Sequence, residues 1–98
     1  MSSEPPRYAV RLRNRRVQRE MDALPAPDHR RVIAALHALA GNPRPSGSKK
    51  LYDNVYRVRA GSYRVIYFID ESNHRIEVGG VLRRSEKTYR GLEDLFDP

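Results

Sequence analysis

The sequence predicts a small α+β domain that has one sheet and a pair of helices. Apolar and polar residues alternate with a period of two in residues 7–12 and again from residue 55 to residue 82, as in strands with one buried face. Between these segments, apolar residues recur three and four positions apart, which indicates amphipathic helices. A chain of 98 residues can form one modest core. We therefore expect a flexible N-terminus at residues 1–6 and a single domain over residues 7–98.

A strand and a helical hairpin are predicted first. Residues 7–12 alternate basic and apolar side chains and predict a strand. Residues 14–24 predict a helix capped by Asn14, whose side-chain oxygen can accept a hydrogen bond from a backbone amide of the first turn. The prolines of residues 25–27 end that helix, and Asp28 is expected to cap the next one.

The second half of the chain predicts the remainder of the sheet. Residues 41–50 are rich in Gly, Pro and Ser and predict a loop. Residues 55–60, 63–69 and 75–82 predict three consecutive strands, an antiparallel meander that completes a four-stranded sheet. We expect the helical hairpin to cover one face of this sheet, and residues 85–96 to form a short closing helix.

The charge balance suggests an anionic partner. Sixteen arginines and three lysines stand against twelve acidic residues, which gives a net charge of +7. A basic balance of this size on a small domain is typical of nucleic-acid binding. A basic surface that serves only solubility is the alternative, and composition alone does not separate the two.

Several classes of site are excluded or disfavoured by composition. The absence of cysteine excludes a disulfide framework and a thiol nucleophile. The three histidines, at positions 29, 37 and 74, lack metal-site spacing, so we expect neither a metal nor a cofactor. The N-terminus has no apolar leader segment, and the longest apolar run is residues 65–69. We expect a cytoplasmic protein that does not enter a membrane.

Three arginines are predicted to share one face of a hairpin. If Gly61 and Ser62 form a two-residue turn, Arg59 lies directly opposite Arg64, and Arg57 lies two residues along on the same face. Like charges in this arrangement destabilise a sheet by up to about 1 kcal/mol, whereas a phosphate would bind them. Two alternatives remain open: a solvated outer face, and a longer turn that separates the pair.

A second basic group follows the last predicted strand. Arg83 and Arg84 end that strand, and Tyr89 begins the closing helix, so these side chains could reach the same concave surface. Tyr89 also lies on the apolar stripe of Leu92 and Phe96, so it could equally be a core residue. Gly79 with its neighbouring glycine predicts a bulge.

The ordered set of these segments resembles a known family. KKL at residues 49–51, YRVRAGSYRVIYFID at residues 56–70, a strand ending in IEVGGVLRR and the tyrosine after RRSEKT are similar to toxins of the RelE/ParE superfamily from bacterial type II toxin–antitoxin systems, closest to the RelE branch. That resemblance implies a ribosome-dependent endoribonuclease. Such a toxin cuts mRNA in the ribosomal A site without a metal, through attack of a 2′-hydroxyl on the adjacent phosphate.

The resemblance also implies roles for individual residues. The family's catalytic positions fall on Arg57, Arg59, Arg64, Arg83 and Tyr89, and Lys49, Lys50 and Arg84 are expected to bind RNA. Arginine is a poor proton shuttle near neutral pH, so Tyr89 is assigned as the general base. Many relatives have a His-Arg pair after the last strand where this chain has Leu82-Arg83, which leaves Arg83 or Arg84 for the arginine role.

Partners and alternatives follow from the same resemblance. We expect an antitoxin protein with an acidic or amphipathic segment, contacts with the ribosome and mRNA, and operator DNA bound through the antitoxin in the complex. The alternatives are a ParE-like toxin that inhibits DNA gyrase through a protein contact, and a family member that occupies the ribosome or binds RNA without cutting.

Overall fold

The computed structural model describes residues 7–83, which form two helices and five strands. In chain order these are β1 (Ala9–Leu12), α1 (Arg15–Asp22), α2 (Ala26–Gly41), β2 (Lys49–Tyr52), β3 (Val55–Ala60), β4 (Tyr63–Asp70) and β5 (Arg75–Arg83). The predicted flexible segment at residues 1–6 and the predicted closing helix at residues 85–96 lie outside the described residues. Neither α1 nor α2 is long and apolar enough to cross a membrane.

The five strands form one sheet in the order β1-β5-β4-β3-β2. The predicted α+β class and the β3-β4-β5 meander are confirmed. The prediction of four antiparallel strands is wrong in two respects. Lys49–Tyr52 forms a strand, although its first two residues belong to the loop predicted for residues 41–50. The turn around Asp53 folds this strand back onto β3. β1 pairs in parallel with β5, because the helical hairpin carries the chain back across the sheet before the meander begins.

Both helices pack on one face of the sheet, here called the helix face. The sheet residues of this face include Val65, Tyr67 and Ile69 of β4, all fully buried. The helices contribute Val17, Met21, Val32, Leu36 and Leu39. Tyr8, Val10 and Leu12, predicted to share one side of the first strand, pack against this core. Burial of apolar surface between the two layers is the main stabilising contribution to the fold.

The two helices begin differently from one another. The Asn14 side chain accepts a hydrogen bond from the Val17 amide at 3.1 Å, which confirms the predicted cap of α1. The predicted cap of α2 at Asp28 is wrong, because the helix already begins at Ala26. Amide groups in the first turn of a helix have no hydrogen-bond partner within the helix. Pro27, which has no amide hydrogen, therefore fits in the first turn of α2. Asp28 lies within that first turn.

A bulge at Gly79 in β5 receives two charged side chains from α1. Tyr67 pairs with Val78 and Ile66 pairs with Gly80, so Gly79 is the extra residue and the predicted bulge is confirmed. Arg16 donates a hydrogen bond to the Gly79 carbonyl at 2.8 Å, and the Val81 amide donates to Glu20 at 2.9 Å. Arg16 and Glu20 also pair with each other at 2.8 Å. Arg16 and Glu20 therefore form hydrogen bonds with two backbone groups that the bulge takes out of the pairing between strands.

Glu20→Ala is expected to lower the free energy of unfolding by about 1–3 kcal/mol, because the Val81 amide loses its acceptor and Arg16 loses its partner. Urea denaturation followed by circular dichroism measures this loss. Arg15→Ala, an exposed position of the same helix, is the matched control and should change the stability by less than about 0.5 kcal/mol. Equal effects of the two substitutions would contradict the docking role of Glu20.

Candidate functional site

The hairpin of β3 and β4 has the register that a two-residue turn requires. Ala60 pairs with Tyr63 and Arg59 pairs with Arg64, as predicted. Gly61 has a φ of +63°, and an added Cβ would lie 3.0 Å from the Arg31 side chain, so conformation and space both favour glycine there. The alternative of a longer turn is therefore wrong.

Arg57, Arg59 and Arg64 share the sheet face opposite the helices, here called the arginine face. The pairing of Arg57 with Ile66 places these two side chains on the same face as Arg59 and Arg64. Arg57 and Arg64 are half-buried and Arg59 is exposed. Within residues 7–83, neither Arg57 nor Arg59 takes part in an ion pair. Two positive charges on this face are thus available to an anion.

The arginine face also contains a small apolar cluster. Ile66 is fully buried on this face and lies in one cluster with Val55. Leu51, Tyr52, Phe68 and Leu82 pack against the two. Ile66 and Phe68 lie two and four residues after Arg64 in β4, so their side chains are on the same face as that arginine. Guanidinium groups beside buried apolar surface interact more strongly with an anion than fully solvated ones, because the local dielectric constant is lower.

The structure does not bring Arg83 to the arginine face. Arg83 pairs with Tyr63, and its guanidinium carbon lies 5.8 Å from the centroid of that ring. Because the extra residue at Gly79 inverts the alternation of β5, Leu82 lies opposite Arg64 and Arg83 lies on the side of the helix face. Arg84 and Tyr89, also predicted for the site, lie outside the described residues.

A cleft of about 460 Å³ opens where β2 begins, beside the arginine face. It is lined by Ser46, Gly47, Ser48, Lys49, Arg57, Val58 and Arg59. Lys49 lies opposite Arg57, whereas Lys50 pairs with Tyr56 and does not line the cleft. Both lysines are predicted from sequence to bind RNA, whereas the three residues before them are not identified as part of the site. Their Ser-Gly-Ser composition is the signal that the sequence offers, and in the structure Gly47 has a φ of +93°.

A polar network holds the loop before β2 against the sheet. Arg44 donates to Glu71 at 2.6 Å and to the Tyr56 hydroxyl at 3.0 Å, and the Tyr8 hydroxyl donates to Glu71 at 2.7 Å. The hydrogen bonds from Tyr8 and Arg44 lower the pKa of Glu71. The same contact with Glu71 is the main cause of the raised pKa of Tyr8. Strand β1, the β4–β5 turn and this loop are thereby joined at one end of the sheet.

Tyr67 anchors the same loop from inside the core. Its side chain is fully buried, and its hydroxyl donates to the Pro43 carbonyl at 2.7 Å. Burial raises the pKa of Tyr67 to about 12, although a hydrogen bond with Ser48 opposes the shift. Residues on both sides of Arg44 are therefore tied to β4, which positions the wall of the cleft.

The ligand groups that hold metal ions in proteins combine His, Cys, Asp and Glu side chains. No group of three or more His, Cys, Asp or Glu side chains that could hold a metal ion occurs within residues 7–83. The arrangement offers cationic hydrogen-bond donors instead. Such donors suit recognition of phosphate or another multivalent anion.

Comparison with known proteins identifies a family model and one curated relative. The model described as the ParE toxin of the parDE type II toxin–antitoxin system matches residues 10–88. Toxin RelE of Mycobacterium tuberculosis is 39% identical over 54 residues, which cover 53% of this chain and 55% of the relative. The chain thus spans about half the length of the curated relative it matches.

Solved structures show the same fold at lower identity. A chain of a RelE–RelB type toxin–antitoxin complex from M. tuberculosis superposes with a TM-score of 0.69 at 24% identity, over 80% of this chain and 99% of that one. For the archaeal RelE–RelB complex from Pyrococcus horikoshii the TM-score is 0.68 at 24% identity, over 81% and 97%. The isolated Escherichia coli RelE toxin gives 0.70 at 18%, over 90% and 95%.

Proposed function

We propose that this protein is a toxin that cleaves mRNA in the ribosomal A site. The chain belongs to the ParE toxin family, within the RelE/ParE superfamily of type II toxin–antitoxin systems. The observation that carries this proposal is the pairing of Arg59 with Arg64, with Arg57 on the same face. Repulsion between guanidinium groups opposes that arrangement unless an anion is bound between them. A phosphodiester supplies that anion, and its negative charge increases in the transition state.

The proposed reaction is attack by the 2′-hydroxyl on the adjacent phosphate. A bond forms between the 2′-oxygen and phosphorus while the bond to the 5′-oxygen breaks, leaving a 2′,3′-cyclic phosphate and a 5′-hydroxyl. Arg57, Arg59 and Arg64 donate hydrogen bonds to the phosphate oxygens as charge accumulates on them. Their number and charge suit electrostatic stabilisation, whereas a pKa above about 12 makes them poor proton carriers.

Tyr89 is the proton acceptor in this proposal. A phenol has an ordinary pKa near 10, and nearby guanidinium groups favour its ionised form, so Tyr89 takes the proton of the 2′-hydroxyl. The leaving 5′-oxygen takes a proton from solvent water as its bond to phosphorus breaks, and a cationic hydrogen-bond donor after β5 stabilises the charge that develops on it. We assign that role to Arg84 in preference to Arg83, because Arg83 lies over Tyr63 on the other side of the sheet.

The proposed partners are an antitoxin and the ribosome. The structures of similar fold include complexes of RelE with RelB, which supports a cognate antitoxin for this chain. A small protein with an acidic or amphipathic segment would complement a domain of net charge +7. We propose that the toxin acts on cytoplasmic ribosomes through mRNA and ribosomal RNA, and that the toxin–antitoxin complex binds operator DNA through the antitoxin.

One alternative is favoured by the description of the matching family. A ParE-type toxin would inhibit DNA gyrase through a protein contact, and the arginine face would then be a docking surface. The two functions differ in their target. Cleavage requires the arginines and a proton acceptor to meet at one phosphate, whereas gyrase inhibition leaves mRNA intact.

Purified protein added to translating bacterial ribosomes tests the proposal, with the message mapped by primer extension. The expected result is cuts confined to A-site codons, and cutting about 10²- to 10⁴-fold slower with Tyr89→Phe, which removes the base and keeps the ring. An intact message together with inhibited gyrase supercoiling would replace the proposal with the ParE-type alternative. An intact message on ribosomes that retain the bound protein would identify a non-cleaving member.

A further inference from the structure

The outer edge of β3 is open at the end that carries Arg59. In a two-residue hairpin the pair next to the turn, Ala60 with Tyr63, exchanges both backbone hydrogen bonds, and the pairs then alternate along the strands. The peptide groups of Arg57 and Arg59 therefore point away from β4, toward β2. Lys49 pairs with Arg57 and is the first residue of β2, so no strand residue stands opposite Arg59.

The loop before β2 faces this open edge across the cleft. Ser46 and Gly47 are exposed there, and the hydrogen bond between Ser48 and buried Tyr67 fixes the loop at its far side. The positive φ of Gly47 turns the chain between Ser46 and Ser48. The cleft therefore combines a hydroxyl at Ser46, the open edge of β3 at Arg59 and a fixed wall.

The charge of the cleft has one sign. Its lining residues include Lys49, Arg57 and Arg59 and no acidic side chain. Lysine is a compact point charge that can neutralise a phosphate without the bidentate geometry of arginine. Lys49 and Lys50 are adjacent, and successive strand residues point to opposite faces, so only one of the two lysines lies at the cleft.

We propose that this cleft is a second phosphate subsite, which binds the backbone phosphate next to the scissile one through Lys49, Ser46 and the free edge of β3 at Arg59. The inference rests on the proposed function, since the scissile phosphate lies at Arg59 and Arg64. Arg57 and Arg59 border both positions, so one RNA strand crosses from the arginine face into the cleft. The subsite recognises the sugar–phosphate backbone and no particular base.

Binding of a 2′-O-methyl trinucleotide, which has two phosphates and cannot be cleaved, tests the subsite. Anisotropy titrations at low salt compare the wild type with Lys49→Gln and with Arg30→Gln as control, since Arg30 is an exposed arginine of α2 that does not line the cleft. We expect Lys49→Gln to weaken binding about five- to tenfold and to reduce the slope of log K against log salt by about 0.7. Arg30→Gln is expected to change affinity by less than about twofold.

Each phosphate of the trinucleotide is then replaced in turn by a neutral methylphosphonate, which identifies the phosphate that Lys49 contacts. At one of the two positions the methylphosphonate should weaken binding to the wild type and to Arg30→Gln, yet leave binding to Lys49→Gln unchanged, because the partner of that phosphate is already absent. No measurable trinucleotide binding, equal losses in Lys49→Gln and Arg30→Gln, or methylphosphonate effects that persist in Lys49→Gln would each overturn the subsite. An intact message in the ribosome assay, by contrast, would overturn the nuclease function and leave the binding result as measured.

Discussion

Arg64→Ala is expected to slow ribosome-dependent mRNA cleavage by about 10²- to 10³-fold, the usual cost of removing one preorganised donor from a developing charge. Arg64 lies opposite Arg59 on the arginine face and is half-buried beside an apolar cluster. A donor in that position is fixed by the strand and is partly shielded from water. Its loss should therefore reduce the rate of the chemical step more than ribosome binding.

Single-turnover cleavage on programmed ribosomes, with binding measured separately by co-sedimentation, checks this expectation. Arg64→Lys keeps the charge and loses the bidentate fork, so it should retain an intermediate rate. Arg30→Ala, an exposed arginine of α2, is the matched control for the loss of one positive charge. Wild-type cleavage by Arg64→Ala, with the variant folded, would remove Arg64 from the proposed mechanism.

Tyr67→Ala is expected to lower the free energy of unfolding by about 3–5 kcal/mol, since the largest fully buried side chain would be replaced by a cavity. That is a large share of the roughly 5–15 kcal/mol by which domains are stable. Tyr67→Phe fills the same space but leaves the Pro43 carbonyl without its donor, at a cost of about 1–2 kcal/mol. Urea denaturation at neutral pH measures both, and equal values for the two variants would contradict the cavity explanation.

The Tyr67 hydroxyl should also give the fold a dependence on alkaline pH. Its pKa is about 12 in the folded chain, against an ordinary value of 10.0. The unfolded chain therefore releases this proton first, so the contribution of the hydroxyl is complete below pH 10 and is lost as the pH rises toward 12. The wild type should lose stability relative to Tyr67→Phe across this interval. Stability curves that stay parallel from pH 9 to pH 12 would contradict the assignment.

Rules that involve only neighbouring residues predict the register of the β3–β4 hairpin, which brings the arginines together. The opposition of Arg59 and Arg64 follows from turn length alone, because a two-residue loop leaves only one register for the strands beside it. The cap at Asn14 is likewise a short-range property of residue type and position. Such features depend on a few neighbouring residues, so they can be derived without knowledge of the remaining fold.

Other features depend on how distant segments meet. Strand β2 has only four residues at a sheet edge, and its two consecutive lysines give no alternating pattern. The parallel direction of β1 depends on the path of the helical hairpin. The side on which Arg83 lies was missed for a subtler reason. The bulge at Gly79 was predicted, but its effect on the four residues of β5 after it depends on which residue of the strand is the extra one.

The pairing of β1 with β5 has a consequence for the order in which the chain assembles during synthesis. Ala9 lies beside Arg75 and Leu12 beside Val78, so β1, the first of the described strands to be made, finds its neighbour only after the last of them has been made. Such long-range closure is slow compared with formation of a local hairpin or helix. Until then the emerging chain holds an unfinished sheet, and the core that supports the arginine face is incomplete. For a protein proposed to attack the translation machinery, this topology delays the active form until most of the chain has left the ribosome that makes it.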